Sequence, residues 1–360
     1  MGTVLHLTGP ILLSRDEIAA QAWVIDGRMT YAAPSGAHEI QTVRGWVLPG
    51  LVDAHSHVGI DRHGAVAPEV AQAQALKDRE AGALLLRDAG SAADTSWIHE
   101  RDDLPRLVRA GRHIARTRNY IRNYAHEIEP EDLVTYVRQE ARCGDGWVKL
   151  VGDWINRERG DLAPCWPQEI AAAAIAAAHE EGARVTAHCF GEESLHELAA
   201  AGIDCVEHAT GLNEDTIAVF AQRGIAIVPT LVNIDTFPAI AEPAREKFPR
   251  YYTHMIDLHA RRLQTIGAAH DAGIPIYLGT DAGGSLPHGL VAQEALRLRA
   301  AGLSALEVLD ATAWRARSWL GYPGLEEGAS ADLVVYAADP RQDLAVLGSP
   351  QAIILRGSLN

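Results

Sequence analysis

The chain has 360 residues, 48% of them hydrophobic and 22% charged, the balance of a globular fold with a large core. A formal net charge of -15 argues against nucleic acid or an anionic membrane as partner, because both select basic surfaces. No apolar run reaches membrane-spanning length and the first residues carry no secretory signature, so a cytoplasmic protein is expected.

In chain order, Thr3 to Val47 holds short alternating runs, and Ala22-Trp23-Val24-Ile25 followed by Asp26-Gly27 is a hairpin signal. From about Arg44 to Gly321, short β-rich runs alternate with longer helical patterns. The candidate strands are Leu48 to Val52, Ala83 to Arg87, Ile114 to Thr117, Trp147 to Val151, Arg184 to Ala187, Asp204 to Glu207, Ala226 to Pro229 and Pro275 to Gly279. Between two of them, Pro167 to Glu181 predicts a helix that a proline starts and Gly182 stops. Eight such alternations predict an α/β fold, a (β/α)8 TIM-like barrel, with a doubly wound open sheet as the competing arrangement. Asp332 to Tyr336 and Ala352 to Leu355 are again strand-like. The two chain ends, 1–48 and 325–360, are expected to form one small β-sandwich, with the barrel, 49–324, inserted between them. Four widely spaced cysteines, Cys143, Cys165, Cys189 and Cys205, suggest neither a disulfide framework nor a cysteine metal site.

Several of the strand-like runs end in a side chain able to bind metal. Val52-Asp53-Ala54-His55-Ser56-His57 places two histidines two residues apart, hence on one face of an extended segment. His188 closes Val185-Thr186-Ala187-His188, His208 closes Val206-Glu207-His208, and Asp281 closes Tyr277-Leu278-Gly279-Thr280-Asp281. Imidazole and carboxylate are donors that zinc and its neighbours accept. Ligands on so many strand ends favour the closed barrel, which gathers those ends around one point. Asp281 read alone is also a helix N-cap.

Lys149 discriminates among the possible chemistries. Trp147, Lys149 and Val151 share one face of a strand, and a lysine aimed into a barrel is costly unless paired or neutralised. A lysine reaching out along the barrel rim is the bland reading. The alternative is a neutral amine that takes up carbon dioxide, giving an N6-carboxylysine whose two oxygens each bind a cation. With histidines on later strands available for a second metal, the carbamate is the expectation.

These segments resemble the amidohydrolase superfamily, in particular its binuclear, prolidase-related (imidazolonepropionase-like) group. The resemblance extends beyond the ligands to Leu48-Pro49-Gly50-Leu51-Val52-Asp53-Ala54-His55, Pro287-His288-Gly289, Ala311-Thr312-Ala313 and Gly328-Ala329-Ser330-Ala331-Asp332-Leu333-Val334-Val335. It implies one divalent metal on His55, His57, Lys149 and Asp281 and a second on Lys149, His188 and His208, with zinc the expected ion. It also implies a bridging hydroxide that attacks an amide-type C–N bond in a dipeptide, N-acyl amino acid or carbamate-like compound. Asp281 is then the catalytic proton carrier.

Other readings of the same residues differ in kind. A lactonase or phosphotriesterase keeps the metals and changes the electrophile. A mononuclear deaminase needs a glutamate shortly after the fifth-strand histidine; Glu192 stands one residue later than that place, and Lys149 would have no role. A non-catalytic scaffold ranks last, since such relatives lose ligands and here each is present. The partner is expected to be a small-molecule substrate, and a homo-oligomer is compatible with the chain. For substrate binding, the loop Arg118 to His126 offers Tyr120, Arg122 and His126, with His288 and Trp154 as further candidates. In prolidase-like relatives this loop is glycine-rich, so the departure weakens the case for dipeptides. Cys189 is read as core packing, and His63 and His99 as surface residues.

Overall fold

Gly50 separates two environments. In the computed structural model, which describes residues 4–35 and 39–360, strand Trp46–Pro49 belongs to a sheet built from the chain ends. Strand Leu51–Asp61 opens the central part of the fold. A Cβ on Gly50 would lie 2.6 Å from the Leu84 side chain, so only glycine lets the chain pass this close to the next strand. The single run expected from Leu48 to Val52 is therefore two strands, divided at that residue.

The end-derived sheet has eight strands, both ends of the chain contributing. Along its hydrogen-bonded path the order is Ser358–Leu359, Ala352–Leu355, Leu333–Tyr336, Trp46–Pro49, Val4–Leu12, Ile18–Ile25 and Arg28–Thr30, with Ile40–Arg44 also paired to Val4–Leu12. Thr3, where the first alternating run was expected to begin, lies outside the described residues. Val4–Leu12 serves two parallel neighbours besides the antiparallel Ile18–Ile25, with which its register breaks between Thr8 and Ile11, around Gly9-Pro10. Before the break it pairs with Ile40–Arg44, and beyond it with Val47. The predicted hairpin closes at Asp26-Gly27, both residues at positive φ, the two-residue turn that matches strand twist. Leu7, Ile11, Met29, Val47, Leu333 and Ile354 form an apolar cluster of this sheet's own.

The central part alternates strands and helices. One six-stranded sheet runs His126–Ile128, Ile114–Arg116, Trp147–Val151, Arg184–Cys189, Cys205–His208, Ala226–Val228, every pairing parallel. In a second sheet Leu51–Asp61 lies between Ala83–Asp88 and the short Ala282–Gly284, and Arg106–Arg109 follows Ala83–Asp88. Parallel neighbours need long crossovers, which helices such as Pro68–Glu80, Leu133–Cys143 and Gln168–Glu180 supply. The helix expected from Pro167 to Glu181 is observed as Gln168–Glu180, and Ala171, Ala174, Ala177 and Ala178 give it a small buried face.

Two further expectations differ from observation. The third, expected from Ile114 to Thr117, is observed as Ile114–Arg116, paired with Trp147–Val151, and an unexpected strand, Arg106–Arg109, precedes it and pairs with Ala83–Asp88. The segment expected from Pro275 to Gly279 is not a regular strand, yet it is hydrogen-bonded on both sides. Ile227 N donates to Pro275 O and Tyr277 N to Ile227 O, while Ala54 N donates to Leu278 O and Thr280 N to His55 O. Pro275 has no N–H to give, and Gly279 is pressed against His55, where a Cβ would lie 2.7 Å from the His55 backbone nitrogen. Among the described residues no helix is long and apolar enough to cross a membrane.

Candidate metal centre

Parallel register places the proposed ligands at one end of the strands. His188 pairs with Val151, and His208 with Cys189, so both stand at strand C-termini. Lys149 pairs with Thr186, two residues deeper than His188, and a long side chain is what reaches outward from that depth. His55, His57, Lys149, His188 and His208 are all buried. The Asp281 side chain remains 19% exposed, making it the ligand candidate open to an incoming molecule.

Backbone conformation helps to aim these groups. His208, Ala209, Thr230 and Asp281 have φ of 67°, 52°, 48° and 58°, the left-handed region that residues with a Cβ seldom enter. Such strain persists where the surroundings over-determine it.

The outer nitrogens of three imidazoles are engaged away from the centre. His57 Nδ1 donates to Gly90 O at 2.7 Å, His55 Nδ1 meets Glu207 Oε2 at 2.7 Å, and His208 Nδ1 meets Thr230 Oγ1 at 2.7 Å. Their Nε2 atoms converge inward. His55 Nε2 lies 3.1 Å from His57 Nε2, and Asp281 Oδ1 lies 3.1 and 3.0 Å from the two. His208 Nε2 lies 2.9 Å from His188 Nδ1, and His188 Nε2 is buried without a partner among the described residues.

A carbonyl only accepts, so His57 carries its proton on Nδ1 and turns a lone pair inward. Burial lowers the pKa of His57, His188 and His208, the last to about 3, keeping those rings neutral. Burial opposes charge on His55 too, but Glu207 and Asp281 together outweigh it and raise that pKa. Burial would raise Asp281, yet His55 and its neighbours hold the carboxyl well below its ordinary value. Burial likewise lowers the Lys149 amine, against the attraction of Glu207 and Asp281. Inward lone pairs, an ionised carboxylate and a lysine biased toward its neutral form suit a divalent cation. Donor atoms of His55, His208 and Asp281 lie within 4.8 Å of one another, close enough to share one.

Glu207, Arg87 and His113 are residues that sequence reasoning passed over. Glu207 is fully buried, bound to His55 on one oxygen and, on the other, to Arg87 Nη2 at 2.6 Å and the Thr186 hydroxyl. It was legible as the acid beside His208, but its alternation placed it off the ligand face. His113 is buried, 5.0 Å from the His57 ring and 5.4 Å from Tyr120, and neither ring nitrogen has a hydrogen-bond partner among the described residues. It lies in the turn before Ile114, outside the strand-end pattern.

Of the substrate-binding candidates, Tyr120 stands beside the centre, its ring 5.5 Å from His188 and 5.0 Å from Trp154. Trp154 lies 5.5 Å from His188. Arg122 is exposed, His126 turns to Glu140 at 3.0 Å, and His288 is held against Asp78 at 2.7 Å. His63 is exposed beside Arg62, and His99 faces Asp145. Glu192, which a deaminase would need at the centre, is bound to His254 and Arg261. Cys189 is buried near Asp153.

An α/β fold with histidines and a carboxylate gathered at strand ends is an arrangement that could hold a metal ion, as hydrolases of this general class do. A family model described as the amidohydrolase family matches residues 46–358, and the chain belongs to that family; it is an enzyme acting on carbon–nitrogen bonds. It is 52% identical over 354 residues to an uncharacterized protein of Mycobacterium tuberculosis, covering 98% of this chain and 95% of that one. Its fold is similar to a Xaa-Pro dipeptidase solved with methionine in its active site, with a TM-score of 0.83, 21% identity and 99% of both chains covered. It is also similar to Aspergillus niger ochratoxinase, with a TM-score of 0.78, 20% identity and coverage of 99% and 95%.

Proposed function

We propose that the chain is a binuclear, metal-dependent amidohydrolase that cleaves an amide-type C–N bond in a small molecule. The observation that carries the reading is the inward convergence of donors from His55, His57, His208 and Asp281, the three imidazoles being already engaged through their outer nitrogens. His55, His57, Lys149 and Asp281 would hold one cation, and Lys149, as N6-carboxylysine, with His188 and His208 the other. Two divalent ions, zinc being the expected pair, supply acidity to water and polarise a carbonyl when bound. The two parallel sheets then read as arcs of one (β/α)8 barrel over about 49–324, a closure supported by the two-sided hydrogen bonding of residues 275–281. The strands of 1–48 and 325–360 form the smaller β domain, and free cysteines suit a cytoplasmic enzyme.

In this reading Asp281 accepts a proton from the attacking water and delivers it to the departing nitrogen. Its partial exposure gives it access to both. Glu207 and Gly90 orient His55 and His57. Tyr120, Trp154 and Phe190 wall the His188 side and exclude water from it.

The test combines metal analysis of the purified chain with a screen of dipeptides, N-acyl amino acids, carbamates and lactones. Bound divalent metal with amine release is expected. Hydrolysis confined to lactones or phosphotriesters would move the assignment to an ester hydrolase, and ammonia release from a ring would move it to a deaminase.

A further inference from the structure

Two segments extend from the C-terminal ends of adjacent strands and bring arginines together. Ile114–Arg116 continues into residues 117–119, and Trp147–Val151 is followed by the hairpin of Asp153–Asn156 with Asp161–Pro164. Between them lies a groove of about 540 Å³, lined by Arg116, Arg118 and Arg157 with Asn119, Glu129 and Glu158. Among the described residues, no hydrogen bond or ion pair engages the three guanidinium groups. Their neighbour Arg159, in contrast, is paired with Glu193 at 2.8 Å. Three unpaired cations against two carboxylates stand out in a chain of net charge -15.

The groove is built, and both of its rims lead along the chain to residues beside the candidate metal centre. Arg118 sits at φ 63°, its N–H donating to Glu127 at 3.2 Å, and Asn119 N closes the turn on Arg116 O at 2.9 Å. Across the groove Asn156 Oδ1 accepts from Glu158 N at 3.0 Å and Arg159 N at 2.9 Å, which fixes the turn carrying Arg157. The residue after Asn119 is Tyr120, and Trp154 precedes Asn156 on the same strand face. Those two rings, 5.0 Å apart, each touch His188.

We propose that this groove binds the anionic end of the substrate, so that the enzyme prefers amides carrying a carboxylate beyond the ring pair of Tyr120 and Trp154. The inference rests on the amidohydrolase reading above. A planar guanidinium fork matches a carboxylate, and three of them on a partly open rim select an acid over its neutral amide. The aromatic pair favours an apolar spacer between that acid and the bond to be cut.

The holoenzyme is assayed with two matched pairs, one with the carboxylate on the amine half (N-benzoylglycine and its carboxamide) and one with it on the acyl half (an N-alkyl succinamate and its carboxamide). In at least one pair the acid should exceed its amide in kcat/KM by about tenfold or more, chiefly through KM, with the preference shrinking as salt is raised. Arg116→Gln, Arg118→Gln and Arg157→Gln should each reduce that ratio, and the triple variant should bring it near unity. Calorimetric binding of phenylacetate and phenylacetamide is the independent arm, and the acid's advantage should fall in the same variants. Equal treatment of acid and amide in both pairs, or an acid preference that survives the triple substitution, overturns the proposal while leaving the hydrolase intact. Absence of metal and of any amide cleavage overturns the hydrolase reading instead, and the calorimetric arm then decides whether the groove binds carboxylate.

Discussion

Arg87→Met is the substitution whose consequence follows most directly from the structure. Arg87 and Glu207 are both fully buried with 2.6 Å between Nη2 and Oε1, and Arg87 Nε donates to Ala54 O at 2.7 Å. The guanidinium also lies 4.6 Å from the centre of the Trp147 ring. Methionine keeps much of the stem but leaves the Glu207 charge to Thr186, His55 and the weak Cys205 thiol. Removing one partner of a buried pair costs about 3–5 kcal/mol. Arg87→Met with Glu207→Gln removes both charges, so the double variant should be less destabilised than the sum of the singles by about 2 kcal/mol or more. Urea unfolding of metal-depleted protein measures this without a contribution from bound ions. Additive losses would refute the view that Arg87 acts by neutralising Glu207.

Lys149→Ala should lose bound metal and activity, and bicarbonate with a divalent salt should restore metal-depleted wild type but not the variant; unchanged metal content in the variant defeats the carbamate. Gly279→Ala presses a Cβ onto Val228 Cγ1 and places it 2.7 Å from His55 N, an overpacking expected to cost about 1–3 kcal/mol in urea unfolding. A wild-type midpoint would show that the seam is looser than it looks. His254 is raised to about 9 by hydrogen bonding to Glu192 and Asp161, against burial. A raised folded pKa means that its stabilisation is complete below the ordinary 6.5 and is lost as pH climbs through about 9. After discounting for solvent screening this is about 1–2 kcal/mol, and His254→Gln should abolish the corresponding fall in stability between neutral and alkaline pH.

The clustering of these candidate donors was legible because period-two alternation and strand ends are local properties. His55 and His57 share a face, and His188 and His208 each close an apolar run, without knowledge of the fold. What supports them was not legible. Glu207 reaches His55 across 152 residues, and Gly90 accepts from His57 through a backbone carbonyl that has no sequence signature. His126 and His288 looked like site residues by position, yet Glu140 and Asp78 engage them, partners that only tertiary packing reveals. The division at Gly50 was hidden for a related reason. Leu48 to Val52 is one apolar run in the text, and the change of sheet depends on the Leu84 side chain packed against its middle.

The strained positions explain why the site lies where it does. A left-handed residue with a Cβ costs about 1–2 kcal/mol, and His208, Ala209, Thr230 and Asp281 all adopt that conformation. Glycine would relieve the strain at His208, Thr230 or Asp281, but it would delete two inward donors and the hydroxyl that meets His208 Nδ1. The bodies of the neighbouring parallel strands, Val148, Leu150, Val185 and Val206 among them, are fully buried apolar residues that offset such costs. Stability is concentrated along the strand bodies, and strain and buried charge at their C-terminal ends. A substitution that tightens those ends is therefore expected to trade against the donor geometry on which metal binding depends.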